Sequence, residues 1–474
     1  MKTLLLFNYD WDAQAHARLA LQSKQAWGQL FAARGFDLFS TPSNVNLVWF
    51  DIDRFVNRLA KEAKQQQWSA VTSHNEQFGA LAAALLADKM GWPGTPPAAV
   101  AACQHKLYAR QVLQQVCPEA NPRFMRLPAA YGEAAPDGLT YPVFVKPIKA
   151  AFSVLAKVVH SKDELHRLTR FGRYELWVIK RLVEPFERVA KRLLPLEGIS
   201  GTVSTAHSMM LEEPVNASSA GQYNLDGYVC NGKMHTLGVV DAIMYPDTQA
   251  FMRFDYPSEL TPEIQTRAAK IAEKFLQAIG FTHGLFNMEF FYDRANDKLT
   301  VIEFNPRMAS QFADLYLRVD GIDLHAMALE LAHGRDPSLL ARVKPSAACA
   351  TSAVYRVFDA NAPHLPQHVP SVPATASLNQ LRRHFPDHLF MHMPKSVSSS
   401  ARDFKWLGSY RYGILHLGGS SKQNLMERID HASALLQWPT PYEHTFDKTK
   451  HQTQPLTLAN LHTNPSQPQW RLSS

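Results

Sequence analysis

Two acidic residues near position 300 are spaced so that they could bind one cation together. The segment 286–307 (FNMEFFYDRANDKLTVIEFNPR) reads as two short strands joined by a turn-rich stretch. Side chains alternate along a strand, so a hairpin that is symmetric about its turn places Glu289 opposite Glu303 and Asn287 opposite Asn305. Paired Cβ atoms would then lie about 5 Å apart. Carboxylates and carboxamides would converge there among apolar neighbours.

Like charges directly opposite each other destabilise a sheet, so this hairpin needs a compensating charge. Oxygen ligands at this spacing suit Mg²⁺ (or Mn²⁺), with Glu289, Glu303 and Asn305 as the ligands. The alternative is an exposed hairpin face whose two glutamates are simply solvated. The next residues favour the metal site, because Pro306 ends the strand and Arg307 places a fixed cation just beyond the ligands.

The pattern Glu…Glu-x-Asn-Pro-Arg closing a hairpin resembles the magnesium site of the ATP-grasp superfamily, especially its carboxylate–amine ligase branch. The resemblance is to biotin carboxylases and L-amino acid ligases alike, and it implies an α/β chain with an α+β ATP-grasp fold. It also implies an ATP-dependent ligase that activates a small carboxylate as an acyl phosphate and condenses it with an amine. The product would be an amide, for instance between two amino acids, with ADP and phosphate released.

Two lysines occur upstream in the order that the resemblance requires. Lys106 lies near the start of a predicted helix over Ala101–Val116, and Lys146 ends a predicted strand in YPVFVKP. The resemblance implies that these lysines reach the nucleotide phosphates, the first of them followed by an arginine four residues on (here Arg110). It also implies catalytic roles for Lys146 and for Arg307, whose fork-shaped cation would steady the acyl phosphate and contact the substrate.

The loop after Lys146 departs from the family pattern. The usual phosphate lid is rich in glycine, because glycine lets backbone N–H groups approach phosphate oxygens. Here residues 149–153 read KAAFS, without a glycine. Ser153 is the ATP-binding candidate in this loop, and we expect a stiffer lid around Phe152.

The segment 207–215 (HSMMLEEPV) resembles the strand and hinge that line an adenine pocket, although a plain edge strand is the alternative. Gln222 stands where many relatives have a glutamate for the ribose hydroxyls, and its amide can both donate and accept hydrogen bonds. Together with the lysines and Ser153, the resemblance assigns these residues to ATP binding: Met210, Leu211, Glu212, Glu213, Val215, Gln222 and Met288.

Residues 1–100 alternate predicted strands and helices, which is typical of a small open parallel sheet. Thr3–Phe7 is an apolar strand of the kind that a parallel sheet buries. A helix is predicted over Gln14–Arg34 and a second strand around Phe36–Phe39. This part resembles the domain that precedes the ATP-grasp region in related proteins.

Three acidic residues follow strands of this N-terminal part. Asp10 and Asp12 read as helix N-cap or turn residues. Glu76 is a candidate substrate-facing acid, because members of the family often place such an acid in this loop.

A chain of 474 residues should divide into several domains. Residues 161–205 read as a helical insertion that packs rather than reacts, with a kink or break at Pro185. The predicted units are an N-terminal βαβ domain (1–97), a lid subdomain (98–205), a large subdomain with the metal hairpin (206–344), a C-terminal domain (345–440) and a polar tail (441–474).

Composition excludes some classes of function. The net charge of +7 is spread along the chain without a basic run, which argues against nucleic-acid binding. The four cysteines are scattered, and no apolar run approaches the ~20 residues that span a bilayer. We therefore expect a cytoplasmic protein with small-molecule partners, no membrane partner, and a homodimer as one assembly.

Two other functions compete with the ligase. The C-terminal segment resembles that of carboxylase-type members, which activate bicarbonate, although no biotin-bearing Met-Lys-Met occurs in the sequence. A nucleotide-binding regulator without turnover would fit the altered lid, but the complete Glu, Glu, Asn and Arg set argues against it.

Overall fold

The N-terminal unit contains a parallel sheet, as predicted. The three strands described lie in the order β2-β1-β3. The structure is a computed structural model that describes residues 2–22, 31–34, 50–149, 155–196, 207–215, 219–359, 362–393 and 408–446. The elements of this unit are β1 (Thr3–Leu6), α1 (Asp10–Gln22), β2 (Phe31–Arg34), α2 (Ile52–Gln66), β3 (Ala70–Thr72) and α3 (Gly79–Met90).

The prediction that one helix extends to Arg34 is wrong. The helix ends at Gln22, and residues 31–34 form a strand in which Phe31 pairs with Thr3. A short apolar run suits a strand as well as a helix, and pairing with buried β1 decides between them. The predicted strand at 36–39 lies outside the described residues.

The lid subdomain contains an antiparallel sheet in the order β4-β7-β5-β6. Its elements are β4 (Phe124–Ala130), β5 (Val143–Pro147), β6 (Lys157–Val159), α6 (Lys162–Thr169), α7 (Arg173–Leu193) and β7 (Ser208–Glu212).

Two helices precede this sheet where one was predicted over Ala101–Val116. These are α4 (Pro97–Gln104) and α5 (Lys106–Val116). The helix is interrupted at His105. The His105 ring accepts a hydrogen bond from the N–H of Tyr108 and so caps the second helix. Lys106 is therefore the first residue of α5.

Helix α7 continues through Pro185, where a kink or break was predicted. Its first half places Ile179 in the core of the lid, and its second half places Phe186 and Val189 in the core of the N-terminal unit. Packing at both ends outweighs the cost of about 3 kcal/mol that an internal proline imposes. The predicted insertion thus connects two units of the fold.

The large subdomain and the C-terminal segment share one eight-stranded antiparallel sheet in the order β12-β11-β8-β9-β10-β13-β15-β14. Its strands are β8 (Ala220–Cys230), β9 (Lys233–Met244), β10 (Phe251–Tyr256), β11 (Gly284–Asp293), β12 (Lys298–Asn305), β13 (Cys349–Phe358), β14 (Leu389–His392) and β15 (Ser409–Gly419). Its helices are α8 (Pro262–Ala278), α9 (Ala313–Asp320), α10 (Leu324–Ala332), α11 (Thr375–His384) and α12 (Lys422–Leu436).

The predicted turn at Asn231-Gly232 joins β8 to β9, with positive φ at both residues (50° and 81°). The domain boundary at 344/345 stays a prediction, and the strands on either side of it belong to one sheet. The predicted tail begins with packed residues, since Tyr442 and Phe446 are buried. None of the helices within the described ranges is both long and apolar enough to cross a membrane.

Phe186 tests whether α7 is a structural connection. Its side chain is fully buried against the N-terminal unit. We expect Phe186→Ala to lower the free energy of unfolding by about 3–5 kcal/mol, measured by urea denaturation. Lys180→Ala, at an exposed position of the same helix, should change it by about 0.5 kcal/mol or less. If both substitutions changed the free energy of unfolding by the same small amount, the result would contradict the role of α7 as a structural connection.

Candidate active site

The hairpin of β11 and β12 has the predicted register. Glu289 pairs with Glu303 and Asn287 pairs with Asn305. The register then shifts at Ile302, which forms a bulge, so Phe290 pairs with Val301. The two carboxylates are therefore neighbours on one face of the sheet, at the edge strand.

Strand β8 extends this polar face on the other side of β11. Asn224 pairs with Glu289, and Asp226 pairs with Asn287. Residues paired directly across antiparallel strands point to the same face. The polar side chains on this face are Gln222, Asn224, Asp226, Asn287, Glu289, Glu303 and Asn305.

Amide groups hold the carboxylate of Glu289 from both sides. Asn305 donates its Nδ2–H to Glu289 Oε1 at 3.1 Å, and Gln222 donates its Nε2–H to Glu289 Oε2 at 3.1 Å. Asn305 also donates to Asn287 Oδ1 at 3.0 Å, and Asn287 donates to Asp226 Oδ1 at 3.1 Å. One hydrogen-bonded network therefore fixes the orientation of the oxygens.

Lys106 supplies the positive charge that the opposed glutamates require. Its Nζ forms an ion pair with Glu303 from the first turn of α5, which lies along the edge strand. Burial lowers the pKa of Lys106, and burial raises the pKa of Glu289. The side chains of the Lys106–Glu303 pair remain partly exposed, at 15% and 26%.

Lys146 and Arg110 share one buried carboxylate, that of Glu212 on β7. Lys146 Nζ lies 2.8 Å and Arg110 Nε 2.6 Å from Glu212 Oε1. Burial alone would raise the pKa of Glu212, but the two cations lower this pKa to about 2. Burial lowers the pKa of Lys146 to about 7, despite the opposing effect of Glu212.

Arg110, four residues after Lys106, bonds to groups of two neighbouring elements. Its guanidinium donates to the carbonyl oxygens of Val301 at 2.7 Å and Ile302 at 2.9 Å, in addition to Glu212. These carbonyls lie beside the bulge of the edge strand. Arg110 therefore joins the metal hairpin to the lid sheet and plays a structural part.

Glu76 and Arg307 meet at the other end of the polar face. Arg307 Nε lies 3.1 Å from Glu76 Oε2, and its Nη2 donates to Asn305 Oδ1 at 3.3 Å. Lys149 Nζ lies 3.9 Å from Glu76 Oε1 and is itself buried. Arg307 also lines a small cleft of about 70 Å³, together with His283. The candidate substrate residues thus lie next to a metal-ligand candidate.

Some residues predicted to bind ATP lie away from this face. Leu211 packs its side chain in the lid core with Val145, and Met288 packs with Phe290 on the opposite face of the large sheet. The roles of these two residues in ATP binding stay predictions. Met210 lies on the other face of β7, next to Leu107.

The hinge after β7 is partly open. Glu213 is half-buried and pairs with exposed Arg123 at 3.3 Å, and Val215 is half-buried. Ser153 and Phe152 lie outside the described residues. The roles of Glu213 and Val215 at the base of ATP stay predictions.

The sequence reasoning missed Asn224, Asp226 and Lys149. The alternation of polar residues at 222, 224 and 226 was a signal, but only the pairing of β8 with β11 shows that these residues share the face of Glu289. Burial raises the pKa of Asp226 to about 7, against hydrogen bonds from Asn287 and Tyr316. Asp226 is thus a buried carboxyl that ends the network.

Comparison with solved structures identifies the fold. The L-amino acid ligase from Bacillus licheniformis superposes with a TM-score of 0.62 at 15% identity, covering 92% of this chain and 96% of that chain. Biotin carboxylase from Campylobacter jejuni superposes with a TM-score of 0.56 at 16% identity, covering 92% and 91%. The chain has the ATP-grasp fold, so the predicted fold class is confirmed.

The sequence comparison adds a particular relative. No family model matches the chain. It is 26% identical over 275 residues to carnosine synthase 1 of Gallus gallus, a match that covers 55% of this chain and 27% of the relative. The chain therefore spans about a quarter of that curated relative's length.

Substitution of Glu212 tests how much the buried ion pairs contribute to stability. Glu212→Gln leaves Lys146 and Arg110 buried without their anion, so we expect a loss of about 3–5 kcal/mol in the free energy of unfolding. Glu213→Gln is the matched control, because it disrupts an exposed ion pair and should cost no more than about 1 kcal/mol. Urea denaturation of both variants measures the difference, and similar costs would contradict the assignment.

Asp226 should make stability depend on pH. Its pKa in the folded chain, about 7, lies above the usual value for aspartate, so the folded state keeps a proton that the unfolded state has lost. Stability should therefore fall as pH rises from about 4 to about 7. Asp226→Asn should raise Tm more at pH 8 than at pH 5, whereas Asp88→Asn at an exposed position should show no such trend. A pH-independent gain would contradict the raised pKa.

Proposed function

We propose that this protein is an ATP-dependent carboxylate–amine ligase that joins amino acids through an acyl phosphate. The observation that carries the proposal is the opposed pair Glu289 and Glu303. Lys106 forms an ion pair with Glu303, and the amide of Asn305 donates a hydrogen bond to Glu289. Fixed carboxylates beside two lysines suit the binding of a metal–nucleotide complex, in which phosphate charge must be offset.

The residues present fit Mg²⁺ (or Mn²⁺). Glu289, Glu303 and Asn305 would hold it with hard oxygen atoms, and the other positions would remain for water and phosphate. When bound, Mg²⁺ offsets the negative charge that the phosphates carry during transfer. The network from Gln222 to Asn305 holds the glutamates in place beforehand, so that they need no reorganisation on binding.

The lysines would bind the phosphates of ATP. Lys106 is paired with Glu303 and Lys146 with Glu212, so each ammonium group is held close to the hairpin. The base would lie near Met210 and the hinge at Glu212, Glu213 and Val215. Gln222 would bind a ribose hydroxyl through its Oε1 or its second N–H, because its bond to Glu289 uses one N–H.

The substrate would bind at Arg307 and Glu76. A carboxylate oxygen of one substrate attacks the γ-phosphorus, the bond to ADP breaks, and an acyl phosphate forms. Arg307 is suited to hold this anion because its guanidinium stays charged. The amine nitrogen of the second substrate then attacks the carbonyl carbon, phosphate leaves, and the nitrogen loses a proton. Glu76 faces Arg307 and is suited to bind the ammonium group of an amino acid.

Amino acids are the proposed substrates for two reasons. Opposite charges at Arg307 and Glu76 match the two charges of an amino acid. The relatives include an L-amino acid ligase and a carnosine synthase. The four buried, unpaired cysteines support the expected cytoplasmic location, and a homodimer stays a prediction.

A carboxylase is the second candidate. The biotin carboxylase domain of the Hydrogenobacter thermophilus 2-oxoglutarate carboxylase, described in complex with MgADP and bicarbonate, superposes with a TM-score of 0.58 at 14% identity and covers 95% of this chain. Its substrate anion would also need a cation such as Arg307. The two candidates differ in their substrates besides ATP. The ligase would require two amino acids, whereas the carboxylase would require bicarbonate.

Measuring the phosphate released from ATP distinguishes the ligase from the carboxylase. Purified protein with Mg²⁺ and ATP should release phosphate when two amino acids are present together, and mass spectrometry should detect the amide. Glu303→Gln should reduce the rate by at least about 100-fold, whereas Glu273→Gln, on the exposed face of α8, should not. Release that requires bicarbonate instead would favour the carboxylase. Tight ATP binding without release in any mixture would contradict both and favour a regulator.

A further inference from the structure

A cluster of histidines around one aspartate lies outside the carboxylate site. Asp12 belongs to α1, His74 follows β3, and His325 begins α10 of the large subdomain. These side chains are almost fully buried, at 0%, 4% and 4% exposure. The interpretation of Asp12 as a turn or N-cap residue describes part of its role, because Oδ2 accepts a hydrogen bond from the backbone N–H of Tyr9 at 3.4 Å while Oδ1 faces the cluster.

The potential ligand atoms of these three residues are close together. One carboxylate oxygen and one nitrogen from each ring all lie within 4.8 Å of one another. Asp12 Oδ1 is 2.8 Å from His325 Nε2, and the rings of His74 and His325 are perpendicular with centroids 5.6 Å apart. His16, one helical turn after Asp12, lies beside them with its ring centroid 5.2 Å from that of His325.

A simple buried Asp–His pair leaves part of this cluster unexplained. Both oxygens of Asp12 have a partner, His325 for Oδ1 and the N–H of Tyr9 for Oδ2, but Nε2 of His74 is buried without a hydrogen-bond partner. Across the described ranges, neither lysine nor arginine forms an ion pair with Asp12. Burying a polar atom without a partner is costly. A cation among the three ligands would satisfy Nε2 of His74 and offset the charge of Asp12.

We propose that Asp12, His74 and His325 bind a divalent transition-metal ion, with Zn²⁺ as the best fit. Imidazole nitrogens and a carboxylate oxygen form a usual zinc ligand set, whereas Mg²⁺ prefers oxygen ligands alone. With three protein ligands, water would fill the fourth position of a tetrahedral zinc ion.

The ion would connect the N-terminal unit to the large subdomain. Two of its ligands come from the N-terminal unit and one from α10. His74 is two residues before Glu76, so the ion would also fix the loop that carries Glu76 towards Arg307. The site shares no ligand with the hairpin site of Glu289 and Glu303, and its proposed role is structural.

Zinc binding to the full chain tests this proposal. The protein is stripped with a chelator, and Zn²⁺ is then added in excess Mg²⁺, which occupies the carboxylate site but competes poorly for imidazoles. We expect one Zn²⁺ per chain by elemental analysis, together with a rise in Tm. His74→Gln and His325→Gln should each weaken zinc binding by about 100-fold or more, since even outer-shell partners are worth 10–100-fold.

Two control variants and a second measurement complete the test. Glu303→Gln and His283→Gln should keep one Zn²⁺ per chain, because His283 lies in the neighbouring cleft and bonds the carbonyl of Leu331. Wild-type protein loaded with Co²⁺ should show visible absorption and shifted ring signals of histidines by NMR, a result that does not depend on a variant folding. Folded wild-type protein that takes up no Zn²⁺ or Co²⁺ would overturn the proposal. Uptake that both histidine variants leave unchanged would also overturn it.

Discussion

The repulsion between Glu289 and Glu303 is the constraint on which the site depends. Two carboxylates on paired strands of an edge hairpin would destabilise the sheet if nothing balanced them. Lys106 balances one, and the amides of Asn305 and Gln222 bind the other. A pair of like charges held so firmly is unfavourable for stability alone, so its position indicates a site prepared for a cation.

Buried cations attach the lid to this hairpin. Arg110 bonds Glu212 of the lid sheet and two carbonyls of the edge strand, and Lys146 reaches the same carboxylate from the neighbouring lid strand. Helix α7 attaches the lid to the N-terminal unit through packing of Phe186. The lid is therefore connected on two sides, and opening it would break contacts with both neighbours.

The N-terminal unit contributes to the site through one loop. Residues 73–77 follow β3 and carry both His74, in the histidine cluster, and Glu76, in contact with Arg307. The backbone carbonyl of Glu76 also accepts a hydrogen bond from Gln104 at 2.7 Å. Bonds to several elements give this loop a defined conformation.

The sequence by itself determined the local features of the site. Alternation with period two and a turn of defined length were enough to place Glu289 opposite Glu303, and Asn-Gly was enough to predict the β8–β9 turn. Which strands are neighbours was decided by the tertiary structure, so Asn224 and Asp226 could not be assigned to the face of Glu289 in advance. Asp12, His74 and His325, more than 300 residues apart at the extremes, meet only because packing between units brings their elements together. Short-range sterics and hydrogen bonds act within a few residues, whereas burial and charge pairing are satisfied by partners from anywhere in the chain.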